Sequence, residues 1–279
     1  MLKKNLLNKC YIKLLEFRGF NNSYKLDISI INMTENIKII SKDEFLKKNK
    51  KPDQEQVWDN ISDLWGEFKK KPFFTVEDFL KGKKGKIIDL GCGSGRNMIG
   101  ALLEKDFGEK EYYGVDVSTN QLKAAEKSAK ERGINAKFFK SGADKLPENF
   151  KDEMFDYGLF IATLHCIEDE EKRLNALKEF YRVLKKDGEG LISVWNSCDE
   201  RFKDVNCHGD IYMSWKKDGK EYMRYYYLYT QEELISLIES VGFKVIKIKT
   251  NLDNKDSMRI TNLEKDRFSK KNLIIHVKK

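Results

Sequence analysis

The sequence predicts an α/β domain in which a mainly parallel sheet carries helices on both faces. Three observations support this fold class. After Gly82, strand-like and helix-like segments alternate along the chain, which is typical of βαβ units around a parallel sheet. The first strand runs directly into a glycine-rich turn, "DLGCGSG". The helical segments have Ser, Thr, Asn, Asp or Glu near their start, and most have Gly near their end, as capped helices do.

Seven segments after Gly82 have the apolar content and length of strands. In chain order they are residues 85–90, 111–117, 136–141, 156–162, 190–195, 244–250 and 272–279. Four helices are predicted between them, at 97–107, 119–133, 170–184 and 230–242. A further amphipathic helix is predicted from Val57, because apolar residues follow it at steps of three and four positions.

The chain is predicted to divide into an N-terminal extension, residues 1–52, and a main domain, residues 53–279. The extension contains two strand-like segments, 24–31 and 36–46, and then a charged linker that includes Pro52. No pattern in the extension indicates a function. Within the main domain, residues 196–230 are too long for an ordinary connection, and we interpret them as a substrate lid.

The composition favours a soluble, cytoplasmic protein. None of the apolar runs reaches the 18 or so residues of a membrane span, and the first twenty residues offer no continuous signal-peptide core. Five cysteines without paired spacing indicate reduced thiols, and no metal site is predicted. The formal charge of +8 would favour a polyanionic partner if it were gathered on one face. An A/T-biased genome, rich in lysine codons, explains the same charge without a partner.

The glycine-rich turn predicts a nucleoside-binding site. Asp89 ends the first strand, and Gly91, Gly93 and Gly95 follow at every second position. Glycine adopts positive φ angles and lets a ligand approach the backbone, and doubly wound sheets bind ligands at this end of their strands. The second strand ends in Asp116, whose carboxylate could accept hydrogen bonds from both hydroxyls of a ribose. A tight turn without a ligand is the alternative for the glycines alone.

The G-x-G-x-G spacing, with an acidic residue before it, resembles that of class I S-adenosylmethionine-dependent methyltransferases. The resemblance extends over nearly all of residues 57–279. It implies a Rossmann-like, seven-stranded, mostly parallel sheet whose last strand runs antiparallel at the sheet edge, and S-adenosyl-L-methionine as the cofactor. The cofactor contacts predicted in this way are Asp89, Gly91, Cys92, Gly93, Gly95, Asp116, Val117, Ala143, Asp144 and Ile161. Cys92 is also explained as a small filler residue of the turn.

The third motif departs from the family's usual form. Family members often carry Gly-Asp-Ala before a Leu-Pro pair, whereas here Gly142, Ala143, Asp144 and a lysine precede Leu146 and Pro147. Glycine therefore stands where the adenine-contacting aspartate would be, and either Asp144 or the backbone amide of Ala143 could replace that contact. Because of this departure, an inactive cofactor-binding scaffold protein is an alternative to an enzyme.

Three stretches outside the cofactor motifs, 57–80, 162–195 and 213–234, resemble the tRNA wobble-uridine carboxyl methyltransferases. The most specific pieces are the Lys-Pro-aromatic element at 71–73 and the Arg-Tyr-Tyr element at 224–226. That family methylates the carboxylate of 5-carboxymethyluridine in tRNA and works with a small zinc-binding activator protein. The resemblance therefore implies tRNA and such an activator as partners. A small-molecule methyltransferase, which would share the cofactor half, is an alternative.

Arg224, Tyr226 and His165 are the predicted catalytic residues. Arg224 could hold a carboxylate or a phosphate, and an unpaired uracil could stack on Tyr225 or Tyr226. His165 follows the fourth strand, close to the expected site, and packing is the structural alternative for it. The family usually has histidine where Tyr227 stands here. We expect Arg224→Ala to abolish methyl transfer while the cofactor still binds.

Overall fold

The computed structural model describes residues 37–68, 73–102, 110–203, 205, 208–250 and 272–279. Within these ranges the strands are β1 (Ile39–Ser41), β2 (Gly85–Leu90), β3 (Lys110–Asp116), β4 (Ala136–Lys140), β5 (Phe155–Ile161), β6 (Leu184–Trp195), β7 (Gly209–Lys217), β8 (Lys220–Leu228), β9 (Lys244–Thr250) and β10 (Asn272–Lys278). The helices are α1 (Lys42–Leu46), α2 (Gln54–Phe68), α3 (Phe74–Leu80), α4 (Arg96–Leu102), α5 (Thr119–Glu131), α6 (Glu170–Val183) and α7 (Gln231–Ser240). Short 3-10 turns lie at Leu164–Cys166 and Glu200–Phe202.

The main sheet has seven strands in the order β4-β3-β2-β5-β6-β10-β9. All seven predicted strands form it, and the pairs among β2 to β6 are parallel. β10 pairs antiparallel with β6 and with β9. The α/β fold class and the antiparallel last strand are thus confirmed.

The predicted position of the last strand at the sheet edge is wrong, because β10 lies between β6 and β9. Its apolar residues Leu273, Ile274, Ile275 and Val277 are each at most 1% exposed. A run of consecutive apolar residues is buried on both faces of a sheet, which suits an interior strand. β9 takes the edge instead.

The core occupies both faces of the main sheet. Ile88 of β2 packs in one apolar cluster with residues of α6 and α7. Its neighbour Ile87 packs in another cluster with residues of α3, α4 and α5. Successive residues of a strand point to opposite faces, so helices cover both sides of β2. Because β2 pairs parallel with β3 and with β5, the carboxyl ends of these three strands lie side by side.

Side-chain caps explain where the helices begin. The side chains of Ser118, Asp169 and Thr230 accept hydrogen bonds from backbone N–H groups three residues further on, at the starts of α5, α6 and α7. Asp53 accepts in the same way from the first turn of α2. Such caps satisfy N–H groups that have no partner within the helix. The predicted starts of α5, α6 and α7 agree with these caps to within one residue.

The predicted lid region, residues 196–230, contains the β7–β8 hairpin. The hairpin pairs antiparallel from Gly209 and Leu228 to Lys217 and Lys220, and β1 adds a third strand along β7. Residues 38–279 form one compact unit, and the domain boundary that we predicted at residue 53 stays a prediction. Residues 1–36 lie outside the described ones, as does the predicted strand 24–31. Among the described helices, none has the length and apolarity needed to cross a membrane.

Candidate active site

The glycine-rich turn between β2 and α4 depends on its glycines. Gly91, Gly93 and Gly95 have φ angles of +71°, +55° and +80°, in the region that favours glycine. A Cβ atom on Gly91 would also lie 2.2 Å from the side chain of Thr163. The turn is fixed to β3, because the N–H groups of Gly91 and Cys92 donate to the carbonyl of Val115 at 2.7 and 3.0 Å.

Asp116 is held against this turn at the end of β3. Its Oδ2 accepts a hydrogen bond from the N–H of Gly93, and its Oδ1 accepts one from the N–H of Ser118, both at 2.9 Å. Burial raises the pKa of Asp116. Each carboxylate oxygen can accept more than one hydrogen bond, so both can still receive a hydroxyl from a ligand.

Asp89 lies behind the turn and is fully buried. Its Oδ2 accepts hydrogen bonds from the hydroxyl of Tyr112 at 2.5 Å and from Nδ2 of Asn97 at 3.1 Å. Burial raises the pKa of Asp89 to about 6, although these two hydrogen bonds oppose the shift. At mildly acidic pH, Asp89 is therefore protonated to a larger extent than an exposed aspartate would be.

A cavity of about 530 Å³ opens in front of the turn. Ten of the predicted site residues line it, namely Gly91, Cys92, Gly93, Asp116, Val117, Ala143, Asp144, Ile161, His165 and Tyr226. Asp89 and Gly95, two of the predicted cofactor contacts, do not line the cavity, and neither does Arg224. Gly95 instead allows α5 to pack closely, since a Cβ there would lie 3.2 Å from that of Ala125.

Near the glycine-rich turn, some buried acceptor oxygens have no hydrogen-bond partner within the described ranges. Oδ1 of Asn97 and Oε1 of Gln121 belong to cavity-lining residues that are 3% and 4% exposed, and neither oxygen has a hydrogen-bond partner among the described residues. Oδ1 of Asp89, behind the turn, likewise has no hydrogen-bond partner among the described residues. Buried polar atoms are nearly always paired. The site therefore fits a ligand rich in N–H and O–H donors, as S-adenosylmethionine is with its ammonium group and ribose hydroxyls.

An aromatic wall, formed by Tyr226, Trp195 and His165, lines another part of the cavity. The rings of Tyr226 and Trp195 stack with centroids 4.0 Å apart and planes 27° apart. The imidazole of His165 lies nearly parallel to Tyr226, with centroids at 5.6 Å. Stacked rings of this kind offer a flat surface to a planar ligand.

His165 is a neutral imidazole in this wall. It is 1% exposed, and burial, aided by the positive charge of Arg201, lowers its pKa to about 3. Its Nδ1 has no hydrogen-bond partner among the described residues. His165 can thus exchange a hydrogen bond with a ligand but carries no charge at neutral pH.

Arg224 supports the wall from behind. Its guanidinium Nη1 donates to the hydroxyl of Tyr226 at 2.9 Å, and Nη2 donates to the carbonyl of Ser214 at 3.3 Å. The side chain is 2% exposed and lies over the ring of Trp215, 4.9 Å from its centroid. Arg224 therefore reaches the cavity through Tyr226.

The structure brings Tyr226, but not Tyr225, to the cavity. Adjacent strand residues point to opposite faces, and the hydroxyl of Tyr225 instead bonds Asp210 and accepts from Arg173 at 2.9 Å. A base stacked on Tyr225, one of the two predicted arrangements, would have to replace these buried contacts. Tyr227 has no place in the cavity lining either.

Several cavity residues come from the beginning of α2 and were missed by the sequence interpretation. Trp58 lies one position from Val57, outside the apolar stripe that predicted the helix, and an aromatic side chain off that stripe was the available signal. Gln54 spans the edge of β8, because its Nε2 donates to the carbonyl of Met223 at 3.2 Å and its Oε1 accepts from the N–H of Tyr225 at 2.9 Å. No local pattern predicts this contact across 170 or so residues.

A buried carboxylate, Glu168, lines the cavity near α2. Its side chain is 7% exposed and accepts a hydrogen bond from the hydroxyl of Tyr212 at 2.6 Å. The ammonium groups of Lys42 and Lys51 each lie 3.5 Å from it. Glu168 thereby joins the segment before α2 to the hairpin.

A family model and several known proteins are similar to this chain. A family model described as "Methyltransferase domain" matches residues 81–261. A Schizosaccharomyces pombe protein named tRNA (carboxymethyluridine(34)-5-O)-methyltransferase is 26% identical over 226 residues, 71% of this chain and 92% of that protein. The Saccharomyces cerevisiae protein of the same name is 27% identical over 165 residues, 57% of this chain and 55% of that protein.

Other similar proteins match a shorter part of the chain or match it at lower identity. Demethylmenaquinone methyltransferase of Geobacillus kaustophilus is 38% identical over 109 residues, 39% of this chain and 43% of that protein. Among solved structures, 1,6-didemethyltoxoflavin-N1-methyltransferase of Burkholderia thailandensis with bound S-adenosylhomocysteine has a TM-score of 0.58 at 17% identity, covering 83% of this chain and 92% of that one. An S-adenosylmethionine-dependent methyltransferase of Methanosarcina mazei has a TM-score of 0.56 at 19% identity, covering 75% and 98%. At these identities the structural likeness shows the fold alone.

Proposed function

The chain belongs to the methyltransferase-domain family and uses S-adenosylmethionine, and we propose that it methylates the carboxylate of 5-carboxymethyluridine at the wobble position of a tRNA. The observation that carries the choice of acceptor is the similarity to the two yeast proteins named for that reaction. The similarity extends over nearly the whole of the fission-yeast protein, so it is not confined to the cofactor motifs.

The cofactor end of the cavity would be formed by the glycine-rich turn, Asp116, Asn97 and Gln121. Their acceptor oxygens suit the hydroxyl and ammonium donors of S-adenosylmethionine. When bound, this cofactor would supply a methyl group on a sulfonium sulfur, a carbon that an anionic oxygen can attack in line with the neutral thioether as the leaving group. What the protein must then provide is the orientation of the acceptor and the exclusion of water.

The aromatic wall suits an unpaired pyrimidine, because single-stranded bases are commonly held on aromatic rings. Burial raises the pKa of Tyr226, so its phenol stays protonated. Since the phenol oxygen accepts a hydrogen bond from Arg224, its own O–H is available to donate to the acceptor carboxylate. We therefore assign Arg224 a positioning role and Tyr226 the contact with the acceptor.

No general base is needed for this reaction. A carboxylate with a pKa near ~4 is already ionised at neutral pH. His165, with its pKa lowered to about 3, is neutral and serves as a hydrogen-bonding group beside the ring of Tyr226. Its neutrality also avoids an added positive charge near the cationic cofactor.

A methylation assay with a chemically defined acceptor tests the proposal. Bulk tRNA treated with mild alkali has its carboxymethyl esters hydrolysed to carboxylates, whereas untreated tRNA keeps them esterified. We expect radiolabel from S-adenosylmethionine to enter the treated tRNA only, and to be released again as methanol by mild alkali. Alkali-stable label in the tRNA would contradict carboxylate methylation.

The predicted zinc-binding activator has no support from the comparisons and stays a prediction. The assay is therefore run with the protein alone and with a candidate activator added. Label that appears only in the second case would support the activator, whereas equal labelling in both would show that this chain needs none.

A small-molecule acceptor is the second candidate, and the similarity to a demethylmenaquinone methyltransferase favours it. That match covers 39% of this chain. If label enters a quinone or metabolite extract and enters neither tRNA preparation, the small-molecule acceptor is favoured over tRNA.

A further inference from the structure

Gln121, in the first turn of α5, has a buried side-chain oxygen to which no described residue donates a hydrogen bond. The residue lines the cavity and is 4% exposed, and its Oε1 has no hydrogen-bond partner among the described residues. Neither the glycine motif nor the family resemblance gives Gln121 a role. A buried amide oxygen left unpaired is costly, so its position at the cavity indicates a donor on the ligand.

The surroundings of Gln121 narrow the kind of donor. A Cβ atom on Gly93 would lie 3.8 Å from Oε1 of Gln121, and no other described residue beyond its two chain neighbours would come within 4 Å of it. The N–H of the same glycine donates to Oδ2 of Asp116 at 2.9 Å. Gly93 is thus flanked by two acceptors, the amide of Gln121 and the carboxylate of Asp116. Two acceptors beside one residue of the turn suit two neighbouring hydroxyl groups.

We propose that Gln121 is a further cofactor-binding residue, whose Oε1 accepts a hydrogen bond from a ribose hydroxyl and shares the ribose diol with Asp116. This deepens the cofactor half of the proposed function and does not depend on the acceptor. It makes Gln121 a residue that discriminates a ribonucleoside from its deoxy forms. The ammonium group of the cofactor is the competing donor, and the test separates the two.

The test compares Gln121→Met with Gln56→Met by calorimetry. Methionine keeps the length of the side chain and removes the acceptor, and Gln56 is an exposed residue of α2 that does not line the cavity. Two ligands are titrated: S-adenosylhomocysteine, and 5′-methylthioadenosine, which keeps the ribose and lacks the amino acid. We expect Gln121→Met to bind both about 3- to 10-fold more weakly, as the loss of one neutral hydrogen bond implies, and Gln56→Met to match the wild type.

Deoxy analogues identify the hydroxyl. One of the two deoxy forms of 5′-methylthioadenosine, 2′ or 3′, should bind the wild type more weakly than 5′-methylthioadenosine does. Gln121→Met should bind that deoxy form about as tightly as it binds 5′-methylthioadenosine. An effect of Gln121→Met on S-adenosylhomocysteine alone would assign the contact to the ammonium and overturn the ribose assignment. Unchanged affinity for both ligands would overturn the proposal entirely. Absence of binding by the wild type would instead refute the cofactor assignment.

The stability of the unliganded protein excludes a purely structural role. Because methionine leaves no unpaired acceptor in place of the amide, Gln121→Met should be as stable as the wild type or more so. A large loss of stability with unchanged affinity per folded molecule would indicate packing and contradict the proposal. If Gln121→Met does not fold, Gln121→Ser withdraws the oxygen by shortening the side chain and is titrated in its place.

Discussion

The two ends of the cavity differ in how completely their polar atoms are satisfied. At the cofactor end, acceptor oxygens of Asn97 and Gln121 are buried and have no hydrogen-bond partner in the part of the chain that the structure describes. At the aromatic wall, the phenol of Tyr226 is bonded to Arg224 and its ring is stacked on Trp195. The first region therefore leaves acceptors for a ligand, whereas the rings of the second are held by contacts within the protein, with Nδ1 of His165 as the exception among the described residues. Cofactor affinity should therefore depend on hydrogen bonds, and acceptor selection on the shape of a rigid surface.

The strongest test of the cofactor end is Gly91→Ala. The substitution adds a Cβ 2.2 Å from Thr163 at a φ of +71°, so the turn must move. We expect cofactor affinity to fall by at least about 100-fold. A non-glycine residue at this φ costs roughly 1–3 kcal/mol, and the overlap with Thr163 adds to that cost. Gly133→Ala is the matched control, since Gly133 has a φ of +65° and an added Cβ would meet no described residue within 4 Å other than its chain neighbours. Equal affinity in the two variants would show that the conformation of the turn does not matter.

Arg224→Ala tests whether the aromatic wall acts separately from the cofactor end. We expect methyl transfer to fall by about 100-fold or more, as when a group that orients the reacting atoms is lost, while affinity for S-adenosylhomocysteine stays within about twofold of the wild type. Single-turnover rates and calorimetry measure the two quantities. Normal turnover would remove Arg224 from the site.

Two further variants guard the Arg224 result. Tyr226→Phe keeps the stack on Trp195 and removes the hydroxyl, so it should reproduce much of the loss in transfer without disturbing the hairpin. Lys216→Ala removes a positive charge from an exposed position of the same hairpin and should have no effect. A loss of transfer in Lys216→Ala as large as in Arg224→Ala would indicate a general effect of charge.

Asp89 should make the stability of the protein depend on pH. Its pKa is raised by burial from 3.8 to about 6 in the folded protein, so the folded state binds the proton more tightly than the unfolded state. The free energy of unfolding should therefore decrease as the pH rises from about 4 to about 6, by up to roughly 3 kcal/mol from this group. Denaturant titrations at several pH values should show that Asp89→Asn removes this part of the slope. An unchanged slope in the variant would mean that Asp89 is already ionised at pH 4.

Lys51→Met should have the smallest effect. It tests whether the segment before α2, which lines the cavity, contacts the acceptor or the cofactor. The Lys51 side chain is 59% exposed, and Glu168 keeps Lys42 and Tyr212 as partners. The free energy of unfolding should change by less than about 1 kcal/mol, as is usual for exposed ion pairs. A rise in KM for the tRNA acceptor with unchanged cofactor affinity would show that Lys51 meets the acceptor. A fall in cofactor affinity instead would join this segment to the cofactor end.

The sequence predicted the parts of the protein that are governed by local patterns. The alternation of strands and helices, the helix starts at Ser118 and Asp169, and the turn at 91–95 all follow from the conformational preferences of neighbouring residues. The likeness to a known family added the cofactor. Asp116 could be placed beside the turn because parallel strands that are adjacent in a sheet end at the same edge.

Only the tertiary structure decided which side chains share the cavity. Tyr226 rather than Tyr225 faces it because β8 alternates its side chains between two faces, and the sequence does not fix which face the hairpin presents. Gln54 meets β8, and β10 enters between β6 and β9, through contacts between segments far apart in the chain. Such contacts depend on how whole elements pack against one another, and short-range residue preferences carry no information about that packing.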